Sequence, residues 1–236
     1  MKDFKKGILD GLPIGIGYLS VAFAFGIFAV SAGLSSLEAL FISMTNVTSA
    51  GQLAAVPIIA TGGLMSELVS CQLIINLRYA LMSVSLSQKF DKSIKLFDRF
   101  ILAFVNTDEV FAVASSKDHC VNKPYMYGLI IPPYLGWSTG TIIGALAGNV
   151  LPSIVTSAWG IAIYGMFIAI VTPVARKSRP VLICVLISAL LSCIFKLSSL
   201  LNTIPNGFVI IICAIVSAFL CAALYPLDTE EENANE

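Results

Sequence analysis

Charged residues are scarce in this sequence. Asp, Glu, Lys and Arg make up 12% of its 236 residues, against about 25% in soluble domains. With 57% hydrophobic residues and a mean hydropathy of +0.90, the composition excludes an ordinary cytosolic globule and a disordered chain. The 14 basic residues balance the 14 acidic ones, so no basic face argues for a nucleic-acid partner.

Metal ligands and nucleotide motifs are equally sparse. The sequence has a single histidine, His119, and no pair of cysteines has zinc spacing. Five of the six cysteines lie inside apolar stretches, where thiols behave as small hydrophobic groups rather than as a disulfide framework. A P-loop and a glycine-rich nucleotide motif are absent. We therefore expect no metal, no cofactor and no enzymatic activity.

Long runs without any charge indicate where the chain meets lipid. They cover 11–37, 39–66, 124–175, 180–195 and 197–227. A helix needs about 20 apolar residues to cross a bilayer core, and these runs are too long and too uniformly apolar for barrel strands. The stretch after the basic N-terminus is also too long for a signal peptide, so we expect a retained first span. The sequence predicts an all-α, polytopic helical membrane protein.

We divide the chain into about seven to eight hydrophobic segments, one or two of them broken or re-entrant. These segments are 12–33, 37–61, 64–88, 100–116, 125–148, 153–175, 180–200 and 204–225. Residues 1–236 are predicted to form a single transmembrane transporter domain. Residues 226–236 are predicted to form a flexible acidic tail.

Basic residues in the loops set the expected orientation. Lys2, Lys5 and Lys6 and the loops 89–99, 117–123 and 176–179 are basic, which predicts a cell-membrane protein with a cytoplasmic N-terminus and C-terminus. If both 37–61 and 64–88 crossed the bilayer, loop 89–99 would lie outside. We therefore expect a re-entrant stretch between 37 and 88, most readily 37–61. Segment 100–116 must enter and return, or lie at the interface.

A polar but uncharged centre interrupts the second segment at residues 45–52. On a continuous helix, Thr45, Thr48, Ser49 and Gln52 share one face with Asn46 at its edge. If the helix breaks at Gly51, free backbone groups could hold a substrate, and a half-helix N-terminus could hold a carboxylate. The alternative is that these side chains only hydrogen-bond neighbouring helices.

Three charges lie close enough to the membrane to need an explanation. Arg78 follows Asn76 deep in an apolar segment, where it either serves the site or extends to the cytoplasmic interface. Asp108 and Glu109 are adjacent in a half-apolar segment, where they either take up protons or begin a helix at a surface turn.

Glycines recur at every fourth position in two segments. Gly7, Gly11 and Gly15 form one stripe, and 136, 140, 144 and 148 form the other. Such stripes let helices approach closely in lipid, so we interpret them as helix contacts. They also hint at an internal repeat.

Several separated motifs resemble the AzlC family of branched-chain amino acid exporters. They run in order from Gly11-Leu12-Pro13 through Ala50-Gly51-Gln52 and Asn76-Leu77-Arg78 to Thr107-Asp108-Glu109. The resemblance implies an all-helical permease that exports small hydrophobic amino acids. It also implies that the permease works with a small membrane protein of the AzlD type.

The residues and the resemblance together predict a secondary transporter in the lipid bilayer. The hypothesis places Asn46, Thr48, Ser49, Gly51 and Gln52 along the substrate site, with Asn76 and Arg78 holding the site or a gate. Asp108 or Glu109 would couple transport to protons. Two alternatives stay open: a non-transporting scaffold or assembly subunit, and an importer of another small polar solute.

Overall fold

The computed structural model describes residues 2–152, 165, 168, 171–198, 201 and 203–226. Its helices with defined ends are α1 (Lys2–Ser31), α2 (Ser36–Thr45), α3 (Ser49–Ala60), α4 (Met65–Ser87), α5 (Leu96–Phe104), α6 (Asp108–Ser115), α7 (Lys123–Gly148), α8 (Arg179–Leu197) and α9 (Asn206–Leu224). Residues 171–177 are also helical. Five of these helices, α1, α4, α7, α8 and α9, are long and apolar enough to cross a membrane. The predicted all-α, polytopic architecture is confirmed.

Two of the predicted segments extend beyond the part of the chain that the structure describes. Segment 153–175 lies outside the described residues except for 165, 168 and 171–175, and the predicted tail 226–236 does so except for Pro226. The described helices fall into two compact units. The first contains α1–α3, the part of α4 from Gln72, and α5–α7, and the second contains Gly63–Cys71 with α8 and α9.

Glycines on α1 and α7 let these two helices lie side by side along their whole length. A methyl group added at Gly7, Gly136 or Gly144 would overlap backbone atoms of the other helix. The contacts advance together, from Gly7 beside Gly128 to Gly26 beside Gly144, so the two helices run parallel. The interpretation of the stripes as close helix contacts is confirmed.

The basic loops lie near the N-terminal ends of α1 and α7. Lys117 Nζ and Asp10 Oδ2 are 2.8 Å apart, and the carboxylate raises the pKa of Lys117 above its ordinary value. Lys89 Nζ donates to the carbonyls of Ser115 at 2.6 Å and Lys117 at 2.7 Å. We call this the basic end, and we call the end that holds Ser31 and Gly148 the opposite end.

The first hairpin (α2, residues 46–48 and α3) enters the first unit from the opposite end. Its first helix begins beside the end of α7, where Asn149 Nδ2 donates to Ser36 Oγ at 3.0 Å. Its second helix returns to that end, because Val56 belongs to one apolar cluster with Ala39 of α2. The chain therefore reverses within 37–61, as the predicted re-entry requires.

The second hairpin (α5, residues 105–107 and α6) enters from the basic end. Lys123 Nζ lies 2.7 Å from Asp98 Oδ1 in the first turn of α5. The last residue of α6, Ser115, meets Lys89 at the same end. Segment 100–116 thus enters and returns, and does not lie along the interface.

The tips of both hairpins, residues 46–48 (first tip) and 105–107 (second tip), meet halfway along α1. Val47 packs with Tyr18, Ala22 and Trp137, and the Tyr18 hydroxyl oxygen lies 2.7 Å from Thr107 Oγ1. Tyr18 lies near the middle of a 30-residue helix, so both tips lie deep between the two ends.

The order of a long helix followed by two short ones occurs twice, in α1–α3 and in α4–α6. The two groups run in opposite directions, since α1 begins at the basic end and α4 ends there, with Leu86 in the same apolar cluster as Val121 and Tyr125. The glycine stripes on α1 and α7 contact each other, so they are not the two copies of a repeat. The repeated units are instead α1–α3 and α4–α6. Inverted groups of this kind are a frequent plan for secondary transporters.

Cysteine labelling tests the re-entrant path. In a variant without native cysteines, we expect Ser31→Cys and Thr61→Cys to react with an impermeant maleimide from one side of the membrane, and Ser93→Cys only from the other. A path in which 37–61 crosses the bilayer predicts instead that Ser31→Cys and Thr61→Cys react from opposite sides.

In the second unit, a buried carboxylate meets the beginning of the last helix. Glu67 is 4% exposed, and its Oε1 accepts a hydrogen bond from the Gly207 N–H at 2.7 Å. The first turn of a helix has free N–H groups that favour an anion. This contact explains why a carboxylate is stable inside an apolar segment.

Candidate functional site

Residues 46–48 separate α2 from α3, so no continuous helix runs through 45–52. Asn46 ends α2 and Thr48 precedes α3. The continuous helical face through 45–52 is therefore wrong, and Thr45 donates back to the Phe41 carbonyl at 2.7 Å instead of facing the site. A break at Gly51 is also wrong, because Gly51 lies within α3.

Gln72 of α4 connects both sides of the first tip. Its Oε1 accepts from Asn46 Nδ2 at 2.9 Å and from Asn76 Nδ2 at 3.2 Å. Its Nε2 donates to the Gly51 carbonyl at 2.8 Å. A methyl group at Gly51 would lie 2.6 Å from Gln72 Oε1, so glycine provides the room for this contact.

A chain of polar contacts joins the first tip to the second hairpin. The Tyr79 hydroxyl lies 3.3 Å from Thr48 Oγ1 and accepts from Arg78 Nη2 at 2.9 Å. The same Nη2 atom lies 2.9 Å from Asp108 Oδ2. Arg78 therefore has a carboxylate partner. An arginine that only extended to the cytoplasmic interface would need no such partner, so the contact favours a role at the site.

The second tip carries both the cap and the acids of α6. Thr107 Oγ1 accepts from the Val110 N–H at 3.4 Å and lies 2.7 Å from the Tyr18 hydroxyl oxygen. Tyr18 is also hydrogen-bonded to Glu109 Oε2. Thr107 is the N-cap of α6, so the two acids do begin a helix, but deep between the two ends rather than at a surface turn. The cap orients Asp108 toward α4 and Glu109 toward α1.

Buried polar atoms without partners concentrate around the two tips. Among the described residues they are Gln52 Nε2 and Oε1, Asn76 Oδ1, Asn106 Oδ1 and Trp137 Nε1. Gln52 and Asn76 belong to the helices at the first tip, and Asn106 lies in the second tip. Trp137 meets the Tyr18 ring edge-on, with the ring centroids 5.0 Å apart. Buried polar groups are nearly always hydrogen-bonded, so this region can accept a polar ligand or water.

The structure brings most of the predicted site residues together. Asn46, Thr48, Gly51 and Asn76 belong to the contacts of the first tip, and Arg78 bonds Asp108. Fully buried Gln52 has no partner for its amide. The Ser49 hydroxyl has no hydrogen-bond partner among the described residues.

Gln72, Tyr18 and Thr107 are site residues that the sequence reasoning did not select. A signal for Gln72 exists, since it precedes Asn76 by one helical turn and therefore shares its face. No local signal exists for Tyr18, because its partner Thr107 is 89 residues away.

Comparison with known proteins identifies the family. The AzlC family model, described as AzlC protein, matches residues 13–151. An uncharacterized membrane protein of Archaeoglobus fulgidus is 34% identical over 172 residues, which cover 72% of this chain and 75% of the relative. Inner membrane protein YgaZ of Escherichia coli is 32% identical over 62% of this chain and 61% of its own length. No solved structure matches the chain significantly.

The matched region contains both hairpins and the two helices, α4 and α7, that lie beside their tips. The family assignment and the membrane relatives support a transporter-like role in a membrane. This chain belongs to the AzlC family.

Proposed function

We propose that this protein is a secondary transporter that exports branched-chain and related hydrophobic amino acids across the cytoplasmic membrane. The observation that carries the proposal is the meeting of two oppositely entering hairpins at a cluster of unpartnered polar atoms. Broken helices that meet at mid-depth are a recurrent way to build a transporter site. A purely structural polar contact would leave fewer buried amide groups unsatisfied.

Polar and apolar groups at the first tip suit a hydrophobic amino acid. The first turn of α3 has no acidic residue, and Thr48 makes no side-chain cap bond. Free N–H groups there, with the Gln52 amide, would bind the substrate carboxylate. The apolar cluster around Val47, Ala22 and Trp137 would receive the aliphatic side chain. In this proposal Ser49 and Asn46 complete the polar wall.

We propose that the basic end, with the N-terminus, faces the cytoplasm. The N-terminal lysines and loops 89–99 and 117–123 lie at that end, as the positive-inside rule requires. We propose that Asp108 or Glu109 couples export to proton entry. The partner would be a small membrane protein of the AzlD type, with room on the face of α4 that exposes Leu73, Leu77 and Leu81.

Counterflow in proteoliposomes tests the transport proposal. Vesicles containing unlabelled leucine should accumulate external labelled leucine when the protein is present, with or without the small subunit. We expect Gln52→Ala and Arg78→Ala to reduce the initial rate by about tenfold or more, because each removes a polar group that sits at the tips.

Gln88→Ala and Arg179→Ala are matched controls. Both side chains are exposed and neither is assigned to the site, so both variants should exchange leucine at the parent rate. Equal rates for all four variants at equal expression would refute the site assignment. Absence of exchange by the parent protein, with and without its subunit, for a panel of amino acids would favour a scaffold.

A further inference from the structure

Two neighbouring carboxylates at the second hairpin have different surroundings. Asp108 is paired with Arg78. Glu109 accepts a hydrogen bond from the Tyr18 hydroxyl, and it has no salt bridge to any described residue. Its side chain is exposed, so a ligand can reach it beside the tips.

The ionisable groups around Glu109 carry one more negative charge than positive. Tyr18 faces it from α1, Arg78 and Tyr79 come from α4, and Asp108 precedes it on α6. Arg78 balances Asp108, so the Glu109 carboxylate has no countercharge. At membrane depth an uncompensated charge is costly, and a bound cation or a proton removes the cost.

Two residues linked to this carboxylate through Tyr18 or its contacts carry buried polar atoms that lack a partner in the described part of the chain. Asn106 is 3% exposed and precedes Thr107, which shares the Tyr18 hydroxyl with Glu109. Trp137 is also 3% exposed, and its ring contacts the Tyr18 ring. Asn106 Oδ1 can accept a hydrogen bond and Trp137 Nε1 can donate one, and neither atom has a partner among the described residues. The acids are thus part of a polar site rather than an isolated acidic pair.

We propose that Glu109 binds either the ammonium group of the amino acid or a proton, and never both. This inference rests on the proposed export of amino acids and deepens it. The carboxylate releases its proton when the ammonium arrives and takes one up when the ammonium leaves. One proton then enters for each amino acid exported, and competition at a single residue accounts for the coupling.

Competition of this kind has a defined pH dependence. Protonation of Glu109 removes the charge that attracts the ammonium, so leucine binding weakens as the pH falls. Where the free carboxylate is mostly protonated, the apparent Kd should rise about tenfold for each unit of decreasing pH, and one proton should be released per leucine bound.

Isothermal titration of the full-length protein in lipid nanodiscs tests the proposal, with leucine as the probe and buffers of different ionisation enthalpy to count released protons. We expect the parent protein and the control Asp10→Asn, which removes a carboxylate at the basic end, to release about one proton per leucine at low pH. Glu109→Gln should bind leucine at least about tenfold more weakly, without proton release. Glu109→Asp should keep the pH dependence, which separates loss of the carboxylate from loss of the fold.

The amine 3-methylbutylamine is the second probe, since it has the ammonium but no carboxylate. It should compete with leucine in the parent protein and lose this ability in Glu109→Gln. Proton release that persists in Glu109→Gln, or disappears in Asp10→Asn alone, would overturn the inference and leave the export proposal intact. A parent protein that binds no amino acid would overturn both.

Discussion

Replacing Gly144 with leucine is expected to remove most of the folded protein from the membrane fraction. Even a methyl group at this position would overlap the Phe23 carbonyl, and backbone atoms cannot move aside as a flexible side chain can. Overpacking costs about 1–3 kcal/mol or more at well-packed positions. The measurement is the fraction of detergent-extracted protein that elutes as a single species after heating, compared with the parent protein.

Gly17 provides the matched control on the same pair of helices. A side chain added there meets nothing within 4 Å, and alanine favours a helix over glycine by about 1 kcal/mol. Gly17→Ala should therefore be as stable as the parent or slightly more stable, and Gly17→Leu should still fold. If Gly144→Leu and Gly17→Leu have the same thermal stability, the α1–α7 contact does not hold this bundle together.

Separating Arg78 from Asp108 is expected to reduce leucine export by about tenfold or more, because a charge left unpaired at membrane depth is costly. Both Arg78→Ala and Asp108→Ala should show this loss. The double variant should export leucine faster than the two single losses combined would predict, since it leaves neither member of the pair unpaired. The measurement is the initial rate of leucine efflux from preloaded vesicles at equal protein density.

The pair formed by Lys117 and Asp10 is the control for this prediction. Its nitrogen and oxygen are 2.8 Å apart, as close as in the Arg78 pair, but it lies at the basic end rather than beside the tips. Lys117→Met and Asp10→Asn should change export by about twofold or less, because residues without shared partners act independently and this pair is separate from the tip contacts. Additive losses at Arg78 and Asp108 would mean that the two residues act independently.

The re-entrant hairpins could be predicted from the distribution of charge. If 37–61 and 100–116 both crossed the bilayer, the basic loops 89–99 and 117–123 would lie on opposite sides. This conflict indicates that 37–61 and 100–116 enter and return. The positions of basic residues in the loops can be read directly from the sequence, and they indicate which loops share one side of the membrane. The broken centre of 37–61 was also visible, because an uncharged polar cluster inside an apolar run is rare.

The position of the break could not be predicted, because Gly51 was expected to interrupt the helix and instead makes room for Gln72. Gly51 does not turn the chain, and positive φ angles among the described glycines occur at Gly33 and Gly62. It is present because Gln72 approaches its backbone. Contacts between distant residues, such as Tyr18 with Thr107, leave no mark on either local sequence, so the site was predicted only in part.

The parallel pairing of α1 with α7 has a consequence for synthesis. About 120 residues of chain separate Gly15 from Gly136, and a ribosome needs on the order of ten seconds to add them. During that interval α1 is in the bilayer with its row of glycines uncovered. Any other helix with small residues on one face can bind there first. Correct assembly therefore depends on α7 arriving before a competitor does, and slow translation between the two helices lengthens the period of risk.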